Sequence, residues 1–315
     1  MENKTTDLVQ STNYKDLMVE AGKQLGLRKK DIFKRVILTT WPMIIFGLAV
    51  VLTSFYYQSH QDIWNDYALL VYVGIFCWAV FAILYGAVIR TIFSMEKRIW
   101  IDSFFDGKNL SSSQSWHIAT KLFFPSIIFR IKLFIRYYAI VWVLYFVLIA
   151  GIIISATKNL GMPWWTFPII ILGFPVLMWI YSHYYLQAYL RFVWWLFLDT
   201  YGSTNSSFSN IIIEMNKLND ISKGDSFKKA LIAEVGSDSI TIIANTATES
   251  ILTGFSAFNE KAGAIISSVV KIPAQEMASQ SSDFAKLSAI FLLYRKAREL
   301  YGESAQLINE KLYSL

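Results

Sequence analysis

His60, His117 and His183 are the only histidines of this chain and Cys77 its only cysteine, so metal, nucleophilic or proton-transfer chemistry is sought there first. The histidines are far apart in sequence and fall at different levels of the chain, which argues against a zinc site built from them. A lone cysteine makes neither an internal disulfide nor a Cys-x-x-Cys metal site. The phosphate-cradling loop Gly-x4-Gly-Lys-[Ser/Thr], the dinucleotide fingerprint Gly-x-Gly-x-x-Gly, His-Glu-x-x-His and Gly-x-Ser-x-Gly are all missing. His183 and Gln187 stand four residues apart, on one face of a helix, within a stretch that carries no charge. They are the candidate polar pathway for an ion or proton, against the commoner role of a helix–helix hydrogen bond. Asp102, Asp106 and His117 would serve a lipid-acting enzyme at head-group level, but they keep no triad or metal spacing. No catalytic residue, cofactor site or metal ligand is assigned, and the chain is expected not to be an enzyme.

The elements that would position these residues are set by where charge is absent. Hydrophobic residues make up 55% of the 315 and charged residues 17%, too little polar surface for a soluble globule of this size. No Asp, Glu, Lys or Arg occurs in residues 36–61, 67–89, 137–157 or 159–190, runs of 26, 23, 21 and 32 residues. About 20 helical residues cross the hydrocarbon core, where backbone polar groups must be satisfied within the segment. The reading is an all-α integral membrane protein with four spans, 36–57, 67–89, 137–156 and 163–190. Short outer connections pair them as two antiparallel hairpins. The first span follows a mostly polar stretch and is expected to act as an uncleaved anchor.

Charge sets the expected orientation. Residues 1–136 hold 16 Lys/Arg against 10 Asp/Glu, whereas the chain from Arg191 onward holds 12 against 13. Arg28, Lys29, Lys30, Lys34 and Arg35 precede the first span, and Lys121, Lys132 and Arg136 lie in the basic loop 90–136. These are the cations expected at the membrane surface, against anionic head groups. Both termini are then cytoplasmic. The same cations flank spans rather than a reader motif, which argues against nucleic acid as a partner.

Three regions follow from this reading: a cytoplasmic segment 1–35, the four-span domain 36–200, and a cytoplasmic helical region 201–315. In the first, Tyr14–Leu27 reads as a short amphipathic helix. Span two is expected to continue as a helix and stop at Asp106-Gly107, after which Ser111–Ser115 offers helix caps. Residues 116–136 read as an interfacial helix, bent by Pro125, that runs into span three. Span four should kink at Pro168 and Pro175. Residues 202–207 and Lys223-Gly224-Asp225-Ser226 read as loops, the latter with Ser226 capping the next helix. Ala82 with Gly86, and Gly151 with Ser155, have the small-x-x-x-small spacing of close helix contacts. Phe284, Leu287, Phe291, Tyr294, Tyr301, Ile308 and Leu312 keep an a/d heptad register over 284–315. That face either forms a coiled coil with a partner or second copy, or folds onto its own domain. The expected function is a structural or assembly subunit acting through this tail, with transport through the kinked fourth span as the alternative.

Overall fold

The computed structural model describes residues 14–59, 61–105, 110–157, 172–203 and 206–300. About 95% of it is helical, with no strand among the described residues, as an all-α chain requires. The amphipathic segment is not separate from the first span: α1 runs unbroken from Tyr14 to Ser59 and α2 from Gln61 to Phe105. No proline interrupts the junction near residue 30, and Gly22 and Gly26 cost a helix only about 1 kcal/mol each. Shorter helices follow: α3 (Ser112–Lys121), α4 (Phe123–Phe134), a π-helical turn (Ile135–Ala139) and α5 (Ile140–Thr157). After the undescribed residues come α6 (Phe174–Ile180), a π turn (Tyr181–Leu186), α7 (Gln187–Tyr189) and α8 (Val193–Thr200). Two long helices, α9 (Phe208–Phe258) and α10 (Glu260–Leu300), close the described chain.

Leu25–Gln58 and Tyr67–Phe105 are long and apolar enough to cross a membrane, and Phe123–Ala139 with Val141–Ser155 make a third candidate if the 46° bend between them is taken within one span. Tyr67–Ile89 exposes Leu69, Leu70, Phe76, Ile83 and Leu84, which belong in hydrocarbon rather than water. The expected fourth span is described only from Leu172 on, where it is broken by the π turn; Pro168 lies outside the described residues.

Local signals are honoured at several ends. α2 is helical as far as Phe105, and the expected stop at Asp106-Gly107 lies outside the described residues. Ser111 and Gln114 form a reciprocal capping box, Gln114 N–H donating to Ser111 Oγ (3.2 Å) and Ser111 N–H to Gln114 Oε1 (3.0 Å). Gly202 takes a left-handed turn (φ 75°), and Ser207 Oγ accepts from the N–H of Asn210 as α9 begins. The loop expected at Lys223–Ser226 is instead helical, inside α9. Ser226 is no cap there, because its hydroxyl is held by the Arg191 guanidinium (2.6 Å) and bonds Ser222 (2.8 Å), a tertiary tie that carries the helix through Gly224.

The chain divides into two compact units, residues 1–120 with 233–293, and 121–232 with 294–315. In the first, α1 and α2 form an antiparallel hairpin. Trp41 Nε1 donates to Tyr85 Oη (3.2 Å), and Trp78 Nε1 to the Pro42 carbonyl (2.9 Å). Ala82 is buried in this hairpin, and a methyl at Gly86 would lie 3.9 Å from the Thr39 carbonyl oxygen. In the second unit Phe129 gathers Trp194, Phe197 and Phe208 at centroid distances of 4.8–5.4 Å.

Candidate functional site

The most concentrated chemistry in the first unit is a ladder of charge between α2 and the two C-terminal helices. Arg90 grips Glu276 with two bonds, Nε to Oε1 (3.0 Å) and Nη2 to Oε2 (2.6 Å). One heptad further along both helices, Lys97 pairs with Asp283 and also donates to Gln280 (2.8 Å). Phe105 then meets Phe291 at 5.3 Å. These three pairs have the same separation in sequence, so α2 and α10 run parallel and in register. Lys286 bridges Asp283 (3.0 Å) to Glu234 of α9 (3.1 Å), which ties the third helix in. Trp100 packs between Phe93 and Phe284 beside the ladder.

Burial and charge act in opposite senses here. Burial disfavours the ionised Asp283 carboxyl, but the ammonium groups of Lys97 and Lys286 outweigh it and hold the group well below the usual carboxylate range. Burial likewise opposes the charge on Lys286, while Asp283 and Glu234 hold its amine above the ordinary lysine value. A second knot lies at the base of α1: Arg35 makes two bonds to the fully buried Glu96 (2.8 and 2.9 Å), and its guanidinium lies 4.0 Å over the Trp116 ring. Ser115 donates to the same carboxylate (3.1 Å) and accepts from Trp100 Nε1 (2.6 Å). Such networks fasten helices; burial nonetheless pushes the Glu96 carboxyl up to about 7 against Arg35 and Ser115, and holds the Lys97 amine below the ordinary lysine value against Asp283.

The expected site residues separate into distinct environments. Of the basic cluster, Arg28 and Arg35 turn inward, Arg28 donating to the Leu110 carbonyl (3.0 Å), while Lys29, Lys30 and Lys34 are exposed. Lys121, Lys132 and Arg136 are exposed in the second unit. Gly151 is exposed, and a methyl placed on it would meet nothing within 4 Å, whereas Ser155 is buried. His183 sits in the π turn, stacked on Trp179 at 5.1 Å, and Gln187 is exposed beyond it. Asp102 is buried and His117 exposed; Asp106 lies outside the described residues. Among the described residues no group of three or more His, Cys, Asp or Glu could hold a metal ion.

Over its described part, 284–294, the heptad face is occupied from within the chain. In the first unit Phe284, Leu287 and Phe291 are buried. In the second, Tyr294 is buried against Phe192 and donates to Asp199, whose carboxylate together with burial pushes the phenol well above its ordinary value. Tyr301, Ile308 and Leu312 lie outside the described residues. Arg90, Lys97, Glu276, Asp283, Lys286 and Glu234 escaped the sequence reading. The signal was there: opposite charges repeated at seven residues in two distant segments, Arg90 to Lys97 and Glu276 to Asp283. No family model matches the chain, and neither a curated protein nor a solved structure matches it.

Proposed function

We propose that the chain is a four-span membrane protein with both termini cytoplasmic, acting as a non-enzymatic structural or assembly subunit. The observation that supports this is the ladder Arg90–Glu276, Lys97–Asp283 and Lys286–Glu234, which fastens the C-terminal helices to the extension of a membrane-spanning helix. Charges committed to one another in this way stiffen a frame, and a frame serves by holding other components in place. With Phe284, Leu287 and Phe291 turned inward, partners would meet the charged outer faces of α9 before residue 239 and of α10 after residue 271 rather than the seam at 284–291. The test is purification of the intact chain in gentle detergent after in-cell cross-linking, with mass spectrometry of the linked peptides. Defined proteins linked to residues 203–315 support the reading. A chain recovered alone, or linked only to copies of itself, removes its basis.

Transport through the fourth span is the second reading, and the π turn carrying His183 favours it, since such turns often occur at functional positions. Flux in proteoliposomes that disappears in a His183→Ala, Gln187→Ala chain would select it.

A further inference from the structure

We propose that the two arms of the α9–α10 hairpin, residues 239–257 and 262–271, cross the hydrocarbon of the bilayer beside α1 instead of standing in the cytoplasm, with the turn at residues 258–261 at the far surface. The inference rests on the reading that α1 crosses the membrane.

Geometry supplies the first argument. The two helices turn back on one another at Asn259, whose Oδ1 accepts from the N–H of Ala262 (3.0 Å). They stay antiparallel throughout, with Glu234 against Lys286, Ser237 against Ser282, Glu249 against Lys271 and Ser256 against Gly263. One arm also touches α1. A methyl at Gly47 would come within 3.1 Å of Ser268 Cβ, and Lys261 lies 5.7 Å over the ring of Phe55. At its other end this arm meets Arg90, where the uncharged run of α2 stops. From Lys261 to Glu276 the helix rises about 22 Å. It therefore sweeps the depth covered by the uncharged part of α1, and Ser268 shares the environment of mid-run Gly47.

Side-chain chemistry supplies the second. Glu249 is the only charge between Ser239 and Asn259, and none occurs from Ala262 to Val270. Ile240, Ile242, Ile243, Ile251 and Phe255 are exposed, and Phe258 at the tip is 93% exposed, a surface that water would penalise and lipid accommodates. The hydroxyls of Thr241, Thr246, Thr248, Ser250, Thr253 and Ser256 each donate to the carbonyl four residues back. Internal satisfaction of that kind is what a polar side chain needs in hydrocarbon. Glu249 is met by Lys271 at 2.6 Å and by Gln275 at 3.4 Å, so that the carboxylate enters as a neutral pair. Cations flank both arms, Lys228 and Lys229 before and Lys286, Arg295 and Lys296 after, as cytoplasmic ends should be. The serines and threonines dilute the hydropathy, which is why the segment does not read as a span.

The test uses the full chain with Cys77→Ser, carrying single cysteines. Spin labels at Ile243→Cys and Ile251→Cys, reconstituted in vesicles of neutral and anionic phospholipid, should be relaxed more by oxygen than by a water-soluble nickel chelate. A membrane-impermeant maleimide should reach Phe258→Cys from the same face as Gln58→Cys and from the face opposite Lys29→Cys. Stronger relaxation by nickel, or shielding from both relaxants by a second copy or a partner protein, overturns the proposal. So does labelling of Phe258→Cys from the Lys29 face while Gln58→Cys labels from the other, an outcome that leaves the crossing of α1 intact. If Gln58→Cys and Lys29→Cys label from one face, α1 does not cross and the inference falls with it.

Discussion

Replacing Asp283 by asparagine removes the anion that, among the described residues, pairs with Lys97, a side chain just 2% exposed, and leaves its ammonium with neutral partners, the Gln280 amide oxygen, the amide oxygen at position 283 and the face of Phe93. Losing one partner of a buried pair costs about 3–5 kcal/mol because the surviving charge stays desolvated. Asp283 itself is 31% exposed, so water can approach from that side, and the expected cost lies near the lower bound, about 3 kcal/mol. The converse change is milder. Lys97→Met leaves the Asp283 carboxylate with Lys286 at 3.0 Å and with partial solvent, for an expected loss of about 1 kcal/mol. A Lys97→Met, Asp283→Leu chain buries neither charge and should return to within about 1 kcal/mol of the parent. The assay is denaturant unfolding in mild detergent followed by tryptophan fluorescence, for which Trp100 reports from within the same packing. Equal losses for the two single changes, or a double change that merely adds them, would show that the ladder is a surface ornament.

Four further outcomes follow from the geometry. Gly263→Val should pry the hairpin apart at its tip, since a Cβ there lands 2.5 Å from Ser256 Cα, and should lower the thermal unfolding temperature, whereas Gly254→Ala, with open space around it, should not. Arg35→Lys loses the two-bond grip on Glu96 and the flat stacking over Trp116, with an expected loss of roughly 1–3 kcal/mol in the same unfolding assay. Asp283, held low, gives stability that is complete above the unfolded carboxyl value of about 3.9 and lost as pH falls through its folded value; Lys286, held high, gives stability complete below about 10.4 and lost as pH rises through its own. The share of thermal stability that comes from Asp283 and Lys286 should thus be flat from about pH 5 to 9 and fall at both extremes, while Lys97, held low by burial, adds a contribution that rises with pH through its folded value. His183→Ala, Gln187→Ala should leave partner recovery in the cross-linking experiment unchanged.

Fold class was legible because charge is excluded in blocks, and hydrocarbon leaves a lone apolar segment only the helix. Helix ends with local chemistry were legible for the same kind of reason: the Ser111–Gln114 box and the start after Ser207 need only neighbours a few residues away. Lys223–Ser226 misled because its turn composition is overruled by Arg191, a residue more than thirty positions upstream. The charge ladder was invisible to a segment-by-segment reading, as Arg90 and Lys97 find their partners 186 residues later. The heptad at 284–294 announced an apolar face without saying what would cover it; in the first unit Trp100 and Phe105 do so. The nearness of Gly263 to Ser256 is a property of the folded hairpin that no spacing could disclose.

The crossing of the bilayer by α1 underlies everything proposed for this chain, and two single cysteines in the Cys77→Ser background test it. Lys29→Cys lies on the exposed face ahead of the uncharged run and Gln58→Cys at its far end, both exposed. In intact cells an impermeant maleimide is expected to label Gln58→Cys at once and Lys29→Cys only after permeabilisation. Labelling of both from one face would contradict the crossing and with it the membrane architecture.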